Sequence, residues 1–299
     1  MVAGALIGTG LPVASDIASA AITACLIALL FVTFLDVPFE RMRQAFAEPK
    51  FLLAVLGLNF VVVPLVVAGL HRLIPLDASL TVPALIVLLS PCIDYVLVFT
   101  KLAGGAHDRL LVLTPVLMLA QIVLLPLYLW MIIGGSVAES LDPEPFLTAL
   151  VLFIVLPLLA ALLIRVLSRS VGRVRRSASF AADSMVALMM LTLAVIAAAV
   201  TPVISGRLRE LGLAMTVFVL FAVIMTGLGW AGSRALNLGT ADARALIFTG
   251  VTRNSLVMLP IVRAITPDGV GPAVVVAQTL VELLVMVILV RCVRLIAPR

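Results

Sequence analysis

Nine stretches of about twenty mostly apolar residues recur along the chain, at 17–35, 51–70, 79–103, 110–133, 147–167, 180–200, 211–235, 243–265 and 272–296. Each is long enough to cross a hydrocarbon layer of roughly 30 Å as a helix. The loops between them are short, so almost no extramembrane mass remains. The composition agrees, at 64% hydrophobic and 12% charged residues. Soluble domains have about half their residues apolar and about a quarter charged. The expected fold is an all-α polytopic membrane protein, a single transmembrane domain over 1–299. Lipid is therefore an expected partner and nucleic acid is not, because the net charge of +5 reflects where the loops lie.

Basic residues test that topology. Arg41, Arg43 and Lys50 share one loop, and Lys101 and Arg109 lie near the next loop but one. Arg165, Arg169, Arg173, Arg175 and Arg176 form the largest cluster, followed by Arg234, Arg244, Arg291, Arg294 and Arg299. If the segments alternate, all of these fall on one side. The other side holds Arg72, Arg207 and Arg209 with the acidic loop of Glu139, Asp142 and Glu144. Lys and Arg are enriched in cytoplasmic loops, so the C-terminus is expected in the cytoplasm of a cell-membrane protein.

Two of the segments are interrupted. Leu88-Leu-Ser-Pro-Cys-Ile-Asp-Tyr95 brings Asp94 into the first, and Thr249-Gly-Val-Thr-Arg-Asn-Ser-Leu-Val-Met-Leu-Pro260 brings Arg253 into the second. A charge at the bilayer centre costs about 2.5–3.5 kcal/mol on insertion scales. Irregular backbone there is tolerated only inside protein or beside water. One interrupted segment in each half of a chain points to the binding site of a secondary transporter. The halves also share short echoes. Leu85-Ile86 precedes Pro91 as Leu246-Ile247 precedes Thr252, and Ala120-Gln121 and Ala277-Gln278 each sit in the next segment.

Ser90-Pro91-Cys92, with Thr-Lys-Leu-Ala-Gly-Gly from Thr100 to Gly105, resembles the fourth helix of the arsenical-resistance (arsenite efflux) permeases. Phe248-Thr249 and Asn254 are similar to that family's interrupted ninth helix, and Leu280-Val281-Glu282 to its acidic tenth. Val2-Ala3-Gly4-Ala5-Leu6 to Pro12 is similar to the end of its first. The resemblance extends to the related bile acid:sodium symporters. It implies ten helices in two inverted five-helix repeats, here 1–134 and 147–299 with the first helix truncated, and crossing, unwound helices 4 and 9 around a midplane site. It also implies proton-coupled efflux of arsenite- or antimonite-like species. The chain departs from the sodium-coupled relatives where they offer side-chain oxygens. Val96 and Leu97 stand in the fourth helix, and Thr249 and Arg253 in the ninth. A guanidinium offers donors only, so no metal site and no sodium coupling are expected there.

Cys92 is the candidate soft ligand for a trivalent metalloid, with a buried, inert thiol as the plainer reading. Asn254, Ser255, Thr249 and Thr252 either line the substrate site or re-satisfy freed backbone. Asp94 and Arg253 read as a structural ion pair, a proton site or a ligand clamp. Asp94 and Glu282 are the candidate proton-coupling residues, and Arg253 with Cys92, Asn254 and Ser255 the candidate substrate-binding ones. Pro64, Pro126 and Pro157 are expected to kink their helices. A small organic anion carried without sodium is the alternative cargo. An intramembrane enzyme would need a nucleophile–base pair or metal ligands at membrane depth. The two histidines, His71 and His107, are placed in loops, and no His-Glu-x-x-His motif occurs. A receptor would bring a soluble signalling domain, and no loop is long enough. A small-molecule substrate is expected, with no cofactor and no obligate protein partner.

Overall fold

The computed structural model describes residues 25–35, 48–133, 150–170, 208–266 and 270–297, with a few isolated positions besides. The short piece at 1–12, the start of the first apolar segment and nearly all of the segment at 180–200 lie outside the described residues. So do Arg41, Arg43, Glu139, Asp142, Arg173, Arg175, Arg176, Arg207 and Arg299 of the charge count.

Among the described residues every regular element is helical: α1 (Cys25–Leu35), α2 (Pro49–Leu73), α3 (Ala78–Leu88), α4 (Tyr95–Leu102), α5 (His107–Ile133), α6 (Leu156–Ser170), α7 (Leu208–Ala235), α8 (Thr240–Val251), α9 (Ser255–Ile265) and α10 (Val270–Ile296). Four of the helices carry apolar stretches long enough to cross a bilayer: Pro49–Leu73, His107–Ile133, Leu211–Ala235 and Val270–Val293. Their outward faces are apolar too. Leu53, Leu65, Val123, Trp130 and Leu284 are all exposed, as a lipid-facing surface requires. α3 is apolar on every side and buried accordingly. The two interrupted segments are each split as the polar residues predict, the first into α3 and α4, the second into α8 and α9.

The prolines act through the backbone groups that they release. Pro64 has no N–H to give Phe60, and α2 passes that point through a π turn at Leu58–Val62. The Tyr128 hydroxyl from α5 donates to the freed Phe60 carbonyl at 2.6 Å. Pro115 leaves Leu111 in the same position, and the Thr114 hydroxyl donates to it at 2.8 Å. A second π turn, Val151–Val155, precedes Pro157 at the start of α6. The histidines are not in loops. His71 lies in the last turn of α2 and His107 opens α5, because each helix runs a turn or less past the apolar stretch that marks it in sequence.

The chain divides into two compact units. One is Met1–Val37, Asp142–Leu208 and Leu256–Val276; the other is Pro38–Leu141, Arg209–Ser255 and Ala277–Arg299. Each unit takes chain from both halves of the sequence. In the first unit, the Arg165 guanidinium on α6 donates to the carbonyls of Val37 and Leu35 at the end of α1. Carbonyls at a helix C-terminus have no partner of their own and carry the negative end of the dipole. The second unit holds both helix breaks.

In the second unit, Arg244 repeats that logic. Its buried guanidinium donates to Ala297 O at 2.9 and 3.2 Å and to Ala103 O at 3.0 Å, where α10 and α4 end. Gly104 turns the chain there with φ of 69°, a left-handed value that favours glycine. Arg109 at the start of α5 pairs with Glu48 at 2.7 Å and Asp242 at 2.8 Å.

Candidate functional site

The first break follows from Pro91. Its ring bars Ser90 from the helical region and removes a donor, so α3 stops at Leu88. The Ser90 hydroxyl donates back to Ile86 O at 2.7 Å. The second break has no proline. α8 ends at Val251, Thr252 is extended (φ −77°, ψ 135°), and its hydroxyl donates to Phe248 O at 2.6 Å. The two breaks meet as a short antiparallel bridge between Pro91 and Arg253. Asn254 N donates to Ser90 O at 2.8 Å and Cys92 N to Thr252 O at 3.4 Å. Each break thus takes up main-chain groups freed by the other, as a membrane interior demands.

Arg253 fills the space that the helix ends create. It is fully buried, with 0% of its surface exposed. Nη2 lies 2.9 Å from Asn59 Oδ1, 2.6 Å from Thr249 O and 2.8 Å from Gly250 O, and Nη1 is 3.4 Å from Leu88 O. Thr249 and Gly250 belong to the last turn of α8, and Leu88 is the last residue of α3. Two helix C-termini therefore converge on one cation, and their unpaired carbonyls and dipoles both favour it. The Phe221 ring adds its face, 5.5 Å from Cζ to the centroid. Nε has no partner. Asn59 sits in the π turn of α2 and is aimed by its amide, which donates to Val55 O at 3.0 Å and Thr249 Oγ1 at 3.3 Å.

Glu282, buried on α10, makes the second half of the site. Oε2 accepts from the backbone N–H of Arg253 at 2.9 Å and from the Gln278 amide. Oε1 lies 2.7 Å from the Tyr95 hydroxyl, which is also 3.0 Å from Arg253 O. The Ser255 hydroxyl donates to Gln278 Oε1, extending the chain of polar groups to the start of α9. A small cavity lies beside this network, walled by Leu88, Phe218, Phe221, Val251, Gln278 and Glu282.

The Sodium Bile acid symporter family, compared as a whole, matches this chain over residues 23–207. The chain belongs to that family. None of the curated proteins compared with it matches. The symporter family is one of membrane transporters, and the long apolar helices agree with a multi-pass membrane protein. Its match includes the first break and stops before the second, so Arg253, Asn254, Ser255 and Glu282 lie beyond the matched residues.

In this family member the residues singled out in sequence gather at the bridged breaks. Cys92 is fully buried in the first, and Asn254 and Ser255 are buried in the second, with Asn254 Nδ2 unpartnered among the described residues. Val96 is buried on α4 while Leu97 is half-buried. Asp94 is half-buried, just ahead of α4. It does not form the ion pair with Arg253 that two opposite charges at one depth lead one to expect. No carboxylate oxygen among the described residues lies within 4.0 Å of that guanidinium. The helix ends supply acceptors closer to hand, which is why the pairing is not needed. Sequence reasoning missed Asn59, Tyr95 and Gln278. The signals were present: Asn59 is the one amide in the apolar run 51–70, and Gln278 lies one helical turn before Glu282.

Proposed function

We propose that the chain is a proton-coupled secondary transporter that exports a trivalent metalloid species such as arsenite, without sodium. The observation that carries the coupling is the setting of Glu282. Its carboxyl is bound by a backbone N–H, an amide and a phenol, so it can exchange a proton without breaking an ion pair. Arg253 supports independence from sodium. By resemblance it stands where the sodium-coupled relatives offer ligands, and its guanidinium already takes up the carbonyl and amide oxygens there. Val96 and Leu97 add no side-chain oxygen. Cys92 supports the metalloid: a soft thiol within the first break, next to the bridge, suits a thiophilic centre.

A small organic anion is the second reading, and a specific observation favours it. Among the described residues, Arg253 Nε and Asn254 Nδ2 are buried N–H donors without hydrogen-bond partners, and no carboxylate oxygen lies within 4.0 Å of the Arg253 guanidinium. An anionic oxygen is the acceptor that such donors bind most strongly. The two inverted repeats, an inner- or plasma-membrane location and a cytoplasmic C-terminus belong to the same proposal. The antiparallel meeting of the breaks and the basic loops support them.

Growth of an arsenite-sensitive bacterium tests the cargo. Expression of the chain is expected to restore growth on arsenite and Cys92→Ala to abolish the rescue; no rescue by the unaltered chain overturns the metalloid and leaves the anion. Replacing external Na⁺ with choline tests the coupling. The initial transport rate should stay unchanged, and a rate that rises with Na⁺ and saturates would sink it.

A further inference from the structure

The Tyr95 hydroxyl has two oxygen neighbours, Glu282 Oε1 at 2.7 Å and the Arg253 carbonyl at 3.0 Å. A phenol has one proton to donate, and a carbonyl can only accept. Both contacts are hydrogen bonds only when Glu282 brings a proton on Oε1. The carboxyl then donates to the phenol oxygen, and the phenol donates to the carbonyl. With Glu282 ionised, the single phenol proton turns to the charged acceptor, the stronger of the two. The Arg253 carbonyl is left without its donor. Oε2 does not alter this count, since it accepts from Arg253 N and Gln278 in either state.

The placement of the two partners gives the proton a mechanical consequence. Tyr95 is the first residue of α4, immediately after the first break, and Arg253 is the middle of the second. The main-chain bridge between the breaks is thin: one bond at 2.8 Å and one at 3.4 Å. A third bond, from Tyr95 to Arg253 O, is a substantial part of what holds them. We propose that Tyr95 is a proton-set latch between the two helix breaks, closed on the Arg253 carbonyl when Glu282 is protonated and released from it when Glu282 gives up its proton. This rests on Glu282 as the proton carrier and says how its state reaches the breaks. The other ionisable groups that face this point are Cys92 and Asp94 from the first break and the Arg253 side chain from the second.

Infrared difference spectra of the full chain in lipid nanodiscs, acid minus alkaline, test the latch with no substrate needed. A protonated-carboxyl C=O band that Glu282→Gln removes reports Glu282. Tyr95→Phe should move that band to higher frequency, because the carboxyl proton loses its acceptor, and should displace its titration midpoint, with thermal unfolding showing the variant is folded. A band unmoved by Tyr95→Phe overturns the latch and spares the proton carrier. If no band is sensitive to Glu282→Gln, the proton reading itself falls. Should Tyr95→Phe not fold, fluorotyrosine labelling serves, since Tyr95 and Tyr128 are the two tyrosines of the chain. With Tyr128→Phe assigning the other signal, the Tyr95 fluorine resonance should shift with pH at the midpoint of the Glu282 band and cease to shift in Glu282→Gln. A resonance that ignores pH overturns the latch.

Discussion

In the first break, between Leu88 and Tyr95, a proline stops the helix and the charged residue, Asp94, stays half-buried. In the second, between Val251 and Ser255, no proline stands, and the charged residue, Arg253, has no exposed surface at all. The first break is covalently enforced, since Pro91 cannot supply the missing helical hydrogen bond in any conformation. The second is enforced by chemistry. There a guanidinium gathers the loose carbonyls of α8 and α3 with the side-chain oxygen of Asn59, while Glu282 and Ser90 O take up the N–H groups of Arg253 and Asn254. Two breaks with the same bridge geometry therefore differ in how they can respond. One is permanent, and the other depends on side-chain hydrogen bonds that a proton or a ligand can change.

The comparison is most exposed at Arg253. Arg253→Gln should destabilise the protein by about 3 kcal/mol or more, since hydrogen bonds to a buried charge contribute about 1.5–3 kcal/mol each and their acceptors would stay buried. Asp94→Asn should cost less, because its site is half open to solvent. The double variant should be no more stable than Arg253→Gln alone, because neutralising Asp94 supplies no donor to the α8 carbonyls. Thermal unfolding of the solubilised variants measures all three. A double variant that recovers stability would restore the two charges as a pair and break the contrast.

Asn59→Leu should come next, at about 1–3 kcal/mol, since it removes one acceptor from Arg253 and leaves Thr249 without its amide donor. Ser90→Ala in the first break should cost least, about 1 kcal/mol or less, because Pro91 still stops the helix when the hydroxyl bond to Ile86 is gone. If Ser90→Ala proves costlier than Asn59→Leu, the first break is held by its side chain after all.

Much of the site is legible in the amino-acid sequence. The interruptions at Asp94 and Arg253 locate both breaks, and Cys92, Asn254, Ser255 and Glu282 do gather around them. Lipid makes that reading possible: a polar residue in an apolar run is too costly to be incidental. What the run of residues could not give was which group each one meets. Two opposite charges at similar depth read as a pair, yet Arg253 is served by the Asn59 side chain and by the main-chain carbonyls of Leu88, Thr249 and Gly250. Main-chain acceptors leave no mark in the side-chain pattern.

The sequence by itself determined that this chain crosses membranes, where its helices are interrupted and which side chains carry charge to that depth, because segment length and polarity are set locally by the thickness and dryness of the bilayer. Only the tertiary structure decided the partners. It brings Asn59 to Arg253 across 194 positions and Tyr95 to Glu282 across 187. Hydrogen bonds form within about 3 Å, and which groups come that close depends on how helices from both halves of the chain pack.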